Sequence, residues 1–74
     1  MNNAKNNPPV EPQWLNDIQL SKYLNVSLGS IRKWRANGTG PLYRKIGDLV
    51  RYSLADVEQW IKTLPAGGGR IDAA

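Results

Sequence analysis

Residues 16–38 read NDIQLSKYLNVSLGSIRKWRANG, and this stretch decides the fold. Asn16 followed three residues later by Gln19 forms a capping box, so a first helix begins at Asp17. Leu20, Tyr23 and Leu24 stand at i, i+3 and i+4 and give that helix one apolar stripe. Asn25 closes it, because Asn tolerates the left-handed backbone that ends a helix. Val26 plugs the turn, and Ser27 caps a second helix over Leu28–Asn37 that Gly38 stops. The outcome is two short helices joined by a three-residue turn.

The second helix has an uneven circumference. At about 100° per residue, Ile31 and Trp34 fall on one side and mark the face to be buried. Gly29, Arg32, Lys33 and Ala36 fall on the other. Two small residues let a backbone approach a surface closely, and the two long cations beside them reach phosphates or guanine edges. A glycine inside a ten-residue helix costs about 1 kcal/mol, and close approach to DNA gives that cost a reason.

Downstream, Thr39-Gly40-Pro41 breaks the chain. Tyr43–Ile46 and Leu49–Tyr52 then flank Gly47-Asp48, a pair suited to a two-residue hairpin loop. That register sets Tyr43 against Tyr52, Arg44 against Arg51, Lys45 against Val50 and Ile46 against Leu49. Two arginines directly opposite each other repel, a repulsion that a phosphate lying between them would relieve. The tyrosine pair reads as core. Ser53 with Asp56 opens a third helix to about Leu64, on which Leu54, Val57, Trp60 or Ile61, and Leu64 keep helical spacing. Trp34 and Trp60 read as structural.

Outside this core, residues 1–12 carry four Asn and three Pro and read as a disordered arm without the apolar region of a secretory signal. Residues 65–74, with Gly67-Gly68-Gly69, read as a flexible tail. One folded domain over residues 13–64 is therefore expected, of α+β class and mostly helical.

Composition narrows the function. With no Cys and no His, the usual zinc sites, disulfides and imidazole catalysis drop out together. The acids Glu11, Asp17, Asp48, Asp56, Glu58 and Asp72 show no paired arrangement, and the glycine triplet precedes no helix, so neither a triad nor a phosphate cradle assembles. No enzyme, no cofactor and no metal are expected, and no apolar run is long enough to span a membrane. Residues 28–52 hold Arg32, Lys33, Arg35, Arg44, Lys45 and Arg51 against Asp48 alone, a charge of +5, whereas the remainder sums to −1. A one-signed segment of this kind points to a polyanion partner.

The stretch Leu20-x-x-Tyr23-Leu24-Asn25-Val26-Ser27-x-x-Ser30-Ile31-x-Lys33-Trp34-Arg35 resembles the winged helix-turn-helix of phage excisionases and AlpA-type regulators, part of the broad MerR-like group. The likeness runs on through Gly38-Thr39-Gly40-Pro41-x-Tyr43-x-Lys45-Ile46-Gly47 and Val50-Arg51-Tyr52 to Asp56-Val57-Glu58-x-Trp60-Ile61, covering residues 14–64. It implies a helix-turn-helix, a two-stranded hairpin wing and a C-terminal helix, with the second helix in the major groove of double-stranded DNA. Carried onto this chain, Ser27 and Ser30 face phosphate or base edges, Arg32 and Lys33 form the main groove pair, and Lys45 and Arg51 are wing contacts. With the charge pattern, the expected contact set is Ser27, Leu28, Gly29, Ser30, Arg32, Lys33, Arg35, Arg44, Lys45 and Arg51.

Three positions depart from the family pattern. Asn25 replaces the usual turn Gly, Gly29 stands where a longer, often basic residue is common, and Asp48-Leu49 occupies a wing tip that commonly carries Arg. An acid there opposes deep minor-groove insertion, so the wing is expected to act through its stems. By resemblance the chain is a cytoplasmic, nucleoid-associated excisionase that directs a tyrosine or serine integrase at attachment-site DNA and self-associates cooperatively on it. An AlpA-type transcriptional regulator of a mobile element, a phage packaging module and a protein-interaction adaptor on an integrase are the alternatives.

Overall fold

A computed structural model describes residues 13–68. The expected arm, 1–12, and the end of the expected tail, 69–74, lie outside the described residues. The element order is β1 (Trp14–Leu15), α1 (Asp17–Leu24), α2 (Leu28–Asn37), β2 (Arg44–Ile46), β3 (Leu49–Ser53) and α3 (Leu54–Lys62).

Each helix starts where a side chain can satisfy an orphan backbone N–H. At α1 the capping box is complete: the Gln19 N–H donates to Asn16 Oδ1 at 2.7 Å, and the Asn16 N–H donates to Gln19 Oε1 at 2.9 Å. Ser27 accepts from the Ser30 N–H at 3.1 Å to open α2. Ser53 accepts from the Asp56 N–H at 3.1 Å to open α3. Because Ser53 is extended (φ −75°, ψ 137°), it serves at once as the last residue of β3 and the cap of α3, and no loop separates them. Asn25 ends α1 at φ 58°, ψ 47°, the left-handed conformation its side chain tolerates.

The hairpin has the expected register, with Arg44 opposite Arg51, Lys45 opposite Val50 and Ile46 opposite Leu49. Gly47 takes φ 63° at the first turn position, a left-handed value that glycine reaches with no Cβ penalty. Three features differ from the sequence reading. The expected two-stranded wing is part of a three-stranded antiparallel sheet of order β1-β3-β2, in which Trp14 pairs with Ser53 and Leu15 with Tyr52. A two-residue strand has no periodicity to read, yet it covers the free edge of β3 and brings Leu15 into the core. The tyrosine pair also splits: Tyr52 is fully buried, whereas Tyr43 lies outside β2 and is 41% exposed, its ring 6.1 Å from that of Tyr52. Helix α3 ends at Lys62, two residues short of Leu64, which is exposed.

Five side chains form the core: Leu15, Leu20, Ile31, Tyr52 and Val57, one from each of β1, α1, α2, β3 and α3. Burying a large apolar side chain stabilises by about 1.5–3 kcal/mol, so each of these five elements is held largely by one residue, while β2 contributes none. Leu24, Val26, Trp34, Val50 and Leu54 pack around them. Trp34 and Trp60 stack in a tilted pair with ring centres 5.5 Å apart, and the Trp60 indole N–H donates to the Thr39 carbonyl at 3.0 Å. These contacts fix the loop after α2, which approaches so closely that a Cβ on Gly40 would lie 3.0 Å from Trp34 Cβ.

Candidate nucleic-acid interface

With Ile31 buried in the core, the opposite side of α2 turns to solvent. Gly29, Arg32, Lys33 and Ala36 are all exposed. Among the described residues, Gly29 has no internal steric reason to be glycine: a Cβ there would meet only Ser27 Oγ, at an ordinary 3.9 Å. At the start of the helix the two serine hydroxyls are linked, Ser27 Oγ donating to Ser30 Oγ at 3.0 Å. Leu28 and Ser30 are half-buried beside them.

A cleft of about 290 Å³ separates α2 from the hairpin. The start of α1 (Asn16, Asp17, Ile18) forms its floor, Arg32 and Arg35 one wall, and Asp48 to Arg51 the other. Arg32 and Arg35 of α2 and Arg51 of the wing therefore line one groove together with Asp17 and Asp48, whereas Lys33, Arg44 and Lys45 are not part of its lining. Along the wing, Arg44 and Lys45 are exposed, and Arg51 is half-buried with Nη1 donating to the Val50 carbonyl at 2.8 Å. At the tip, Ile46 and Leu49 sit opposite each other, both about half exposed, beside the exposed Asp48. Among the described residues, Lys33, Arg44 and Lys45 have no ion-pair or side-chain hydrogen-bond partner, which leaves their charge open to an external anion.

Arg35, a member of the expected contact set, is bonded within the fold. It stands four residues after Ile31, one helical turn on, and so shares the buried side of α2. Its guanidinium makes a bidentate pair with Asp17, Nη1 to Oδ1 at 2.5 Å and Nη2 to Oδ2 at 3.2 Å, and Nη1 also donates to the Tyr52 hydroxyl at 2.9 Å. The two side chains are 22% and 16% exposed. The hydrogen bond from Arg35 is the main cause that holds the Asp17 carboxyl below its ordinary value of 3.8, and reciprocally it raises the Arg35 guanidinium. Burial raises the Tyr52 phenol. This group ties the start of α1 and strand β3 to α2, and so fixes the angle between the exposed helix face and the wing.

Asp17 is the residue that reading by sequence alone passes over. Besides Arg35, its Oδ2 accepts from Arg32 Nε at 3.4 Å. The available signal was its place at the first turn of α1, where an acid is favoured by the helix dipole and is ready to meet a cation from the next helix. Among the described residues, no three His, Cys, Asp or Glu side chains come together to hold a metal, and no helix is long and apolar enough to cross a membrane.

Two helices at a tight turn, the second with a basic outer face, flanked by a hairpin and braced by a third helix, define a winged helix-turn-helix, a DNA-binding architecture. A family model described as a helix-turn-helix domain matches residues 14–65, more than half of the chain, and the chain belongs to that family. It is a small helix-turn-helix protein that binds DNA sequence-specifically, a class that is typically not enzymatic. No curated protein matches it.

Proposed function

We propose that the chain is an excisionase, a recombination directionality factor that binds attachment-site DNA and directs an integrase of the tyrosine or serine type, in the cytoplasm and on the nucleoid. The observation that carries its DNA-binding mode is the joint opening of Arg32 and the wing onto one cleft beside a helix face of Gly29, Lys33 and Ala36. In this reading α2 enters the major groove, with Ser27, Gly29 and Ser30 at its approach and Arg32 and Lys33 at the base edges and phosphates. Arg44 and Lys45 follow the phosphate backbone along the wing stem, with Arg51 behind them. Leu28 supports the helix start. Arg35, its fork engaged by Asp17 and Tyr52, holds α2 rather than touching DNA. The acidic, apolar wing tip stays out of the minor groove.

The excision role rests on the resemblance over residues 14–64. Footprinting the full chain on attachment-site DNA of its own element tests it. Tandem protected sites, cooperatively filled and coupled to integrase-dependent excision, are expected. Protection confined to a promoter, with excision unchanged when the protein is removed, would give the AlpA-type regulator instead.

A further inference from the structure

We infer that Asp17 is a positioning residue that presents the Arg32 guanidinium to a guanine in the DNA target, and so contributes to sequence choice without touching DNA. This rests on the reading that α2 enters the major groove. Arg32 is 60% exposed at the mouth of the cleft, and a free arginine there would sample many rotamers. Its Nε, however, is drawn to Asp17 Oδ2 at 3.4 Å. That oxygen is itself fixed, because Arg35 Nη2 donates to it at 3.2 Å and Arg35 Nη1 holds the other oxygen of the carboxylate. Arg35 is in turn anchored on the hydroxyl of the buried Tyr52. The chain of contacts thus runs from the core through Arg35 and Asp17 to Arg32.

The chemistry of the guanidinium makes the choice of nitrogen consequential. Engagement through Nε leaves both terminal amino groups of Arg32 without a partner among the described residues. Two parallel N–H donors are complementary to guanine O6 and N7, the bidentate contact that separates guanine from the other bases in the major groove. A carboxylate behind the fork also limits its use as a loose phosphate cation, because part of its charge is already matched.

The test measures affinities of the full chain for a duplex selected from a random pool, and for the single-base variants of that duplex. Wild type should show a guanine whose replacement weakens binding by about tenfold or more, and Arg32→Ala should make that position indifferent. Asp17→Asn should shrink the preference at that one position several-fold while other positions keep theirs. Arg35→Lys keeps the carboxylate behind Arg32 but loosens its anchor, and should shrink the same preference to a lesser degree. Should Asp17→Asn fail to fold, the Arg32 Nε–H resonance of the wild-type protein decides: solvent exchange slower than that of a free arginine at the same pH supports the tether. A uniform loss across all bases in Asp17→Asn, or an Arg32 Nε–H that exchanges as fast as a free arginine, overturns it. The underlying groove reading fails differently, by Arg32→Ala leaving every duplex bound as before.

Discussion

Replacing Arg35 by Met removes the cation that binds Asp17 while keeping most of the apolar stem in place. Breaking one side of a fully buried ion pair costs about 3–5 kcal/mol, because the remaining charge is left uncompensated. Here the partners are 22% and 16% exposed, and water will screen part of that charge. The Tyr52 hydroxyl, on a side chain that is 1% exposed, loses its donor as well. We expect a loss of about 2–3 kcal/mol at neutral pH, which in a domain of this size lowers Tm by about 10–20 °C. Thermal unfolding followed by circular dichroism measures it. The pH dependence isolates the cause. A carboxylate held below its ordinary 3.8 in the folded state contributes fully above that value and loses its contribution as pH falls through the folded one. The gap between wild type and Arg35→Met should therefore be constant from about pH 5 to 7 and close progressively in stronger acid. A gap below about 0.5 kcal/mol, the worth of an exposed pair, or one that persists unchanged in acid, would refute the idea that this bridge clamps α1 and the wing to α2.

Gly29→Ala should raise stability by about 0.5–1 kcal/mol, since the helix gains propensity and a Cβ meets nothing closer than 3.9 Å; duplex affinity should fall if α2 approaches DNA closely, as fluorescence anisotropy will show. Gly40→Ala should do the opposite to the fold, because its Cβ would stand 3.0 Å from Trp34 Cβ, and about 1–2 kcal/mol of urea stability should be lost with a change in tryptophan emission. Arg44→Glu converts the like-charge pair with Arg51 into an attractive one. It should stabilise the free domain by up to about 1 kcal/mol and weaken DNA binding, with a shallower salt dependence in anisotropy titrations.

The parts of this fold that were legible in the sequence are those encoded within three or four residues. Asn16 with Gln19, Ser27 and Ser53 mark helix starts because a cap needs only a side chain and an N–H three residues on. Gly47-Asp48 sets the hairpin register for the same local reason. Strand β1 was not legible: at two residues it exists only because β3 has a free edge to pair with. Nor was the inward turn of Arg35, although its place one turn beyond Ile31 was a usable sign. Charge counting treats all six cations of residues 28–52 alike, whereas folding divides them. Arg35 bonds Asp17 and Tyr52, Arg51 leans on its own strand, and Lys33, Arg44 and Lys45 remain open among the described residues.

The central claim is that DNA is read by the outer face of α2 and the stem of the wing. Backbone amide NMR of the full chain, titrated with duplex DNA at low salt, tests it most directly. The account predicts that shifts concentrate at residues 27–33 and 44–51, on the outer face of α2 and along the wing. Shifts concentrated on the far side, at Leu24, Ile61 and Leu64, with α2 and the wing unmoved, would contradict it.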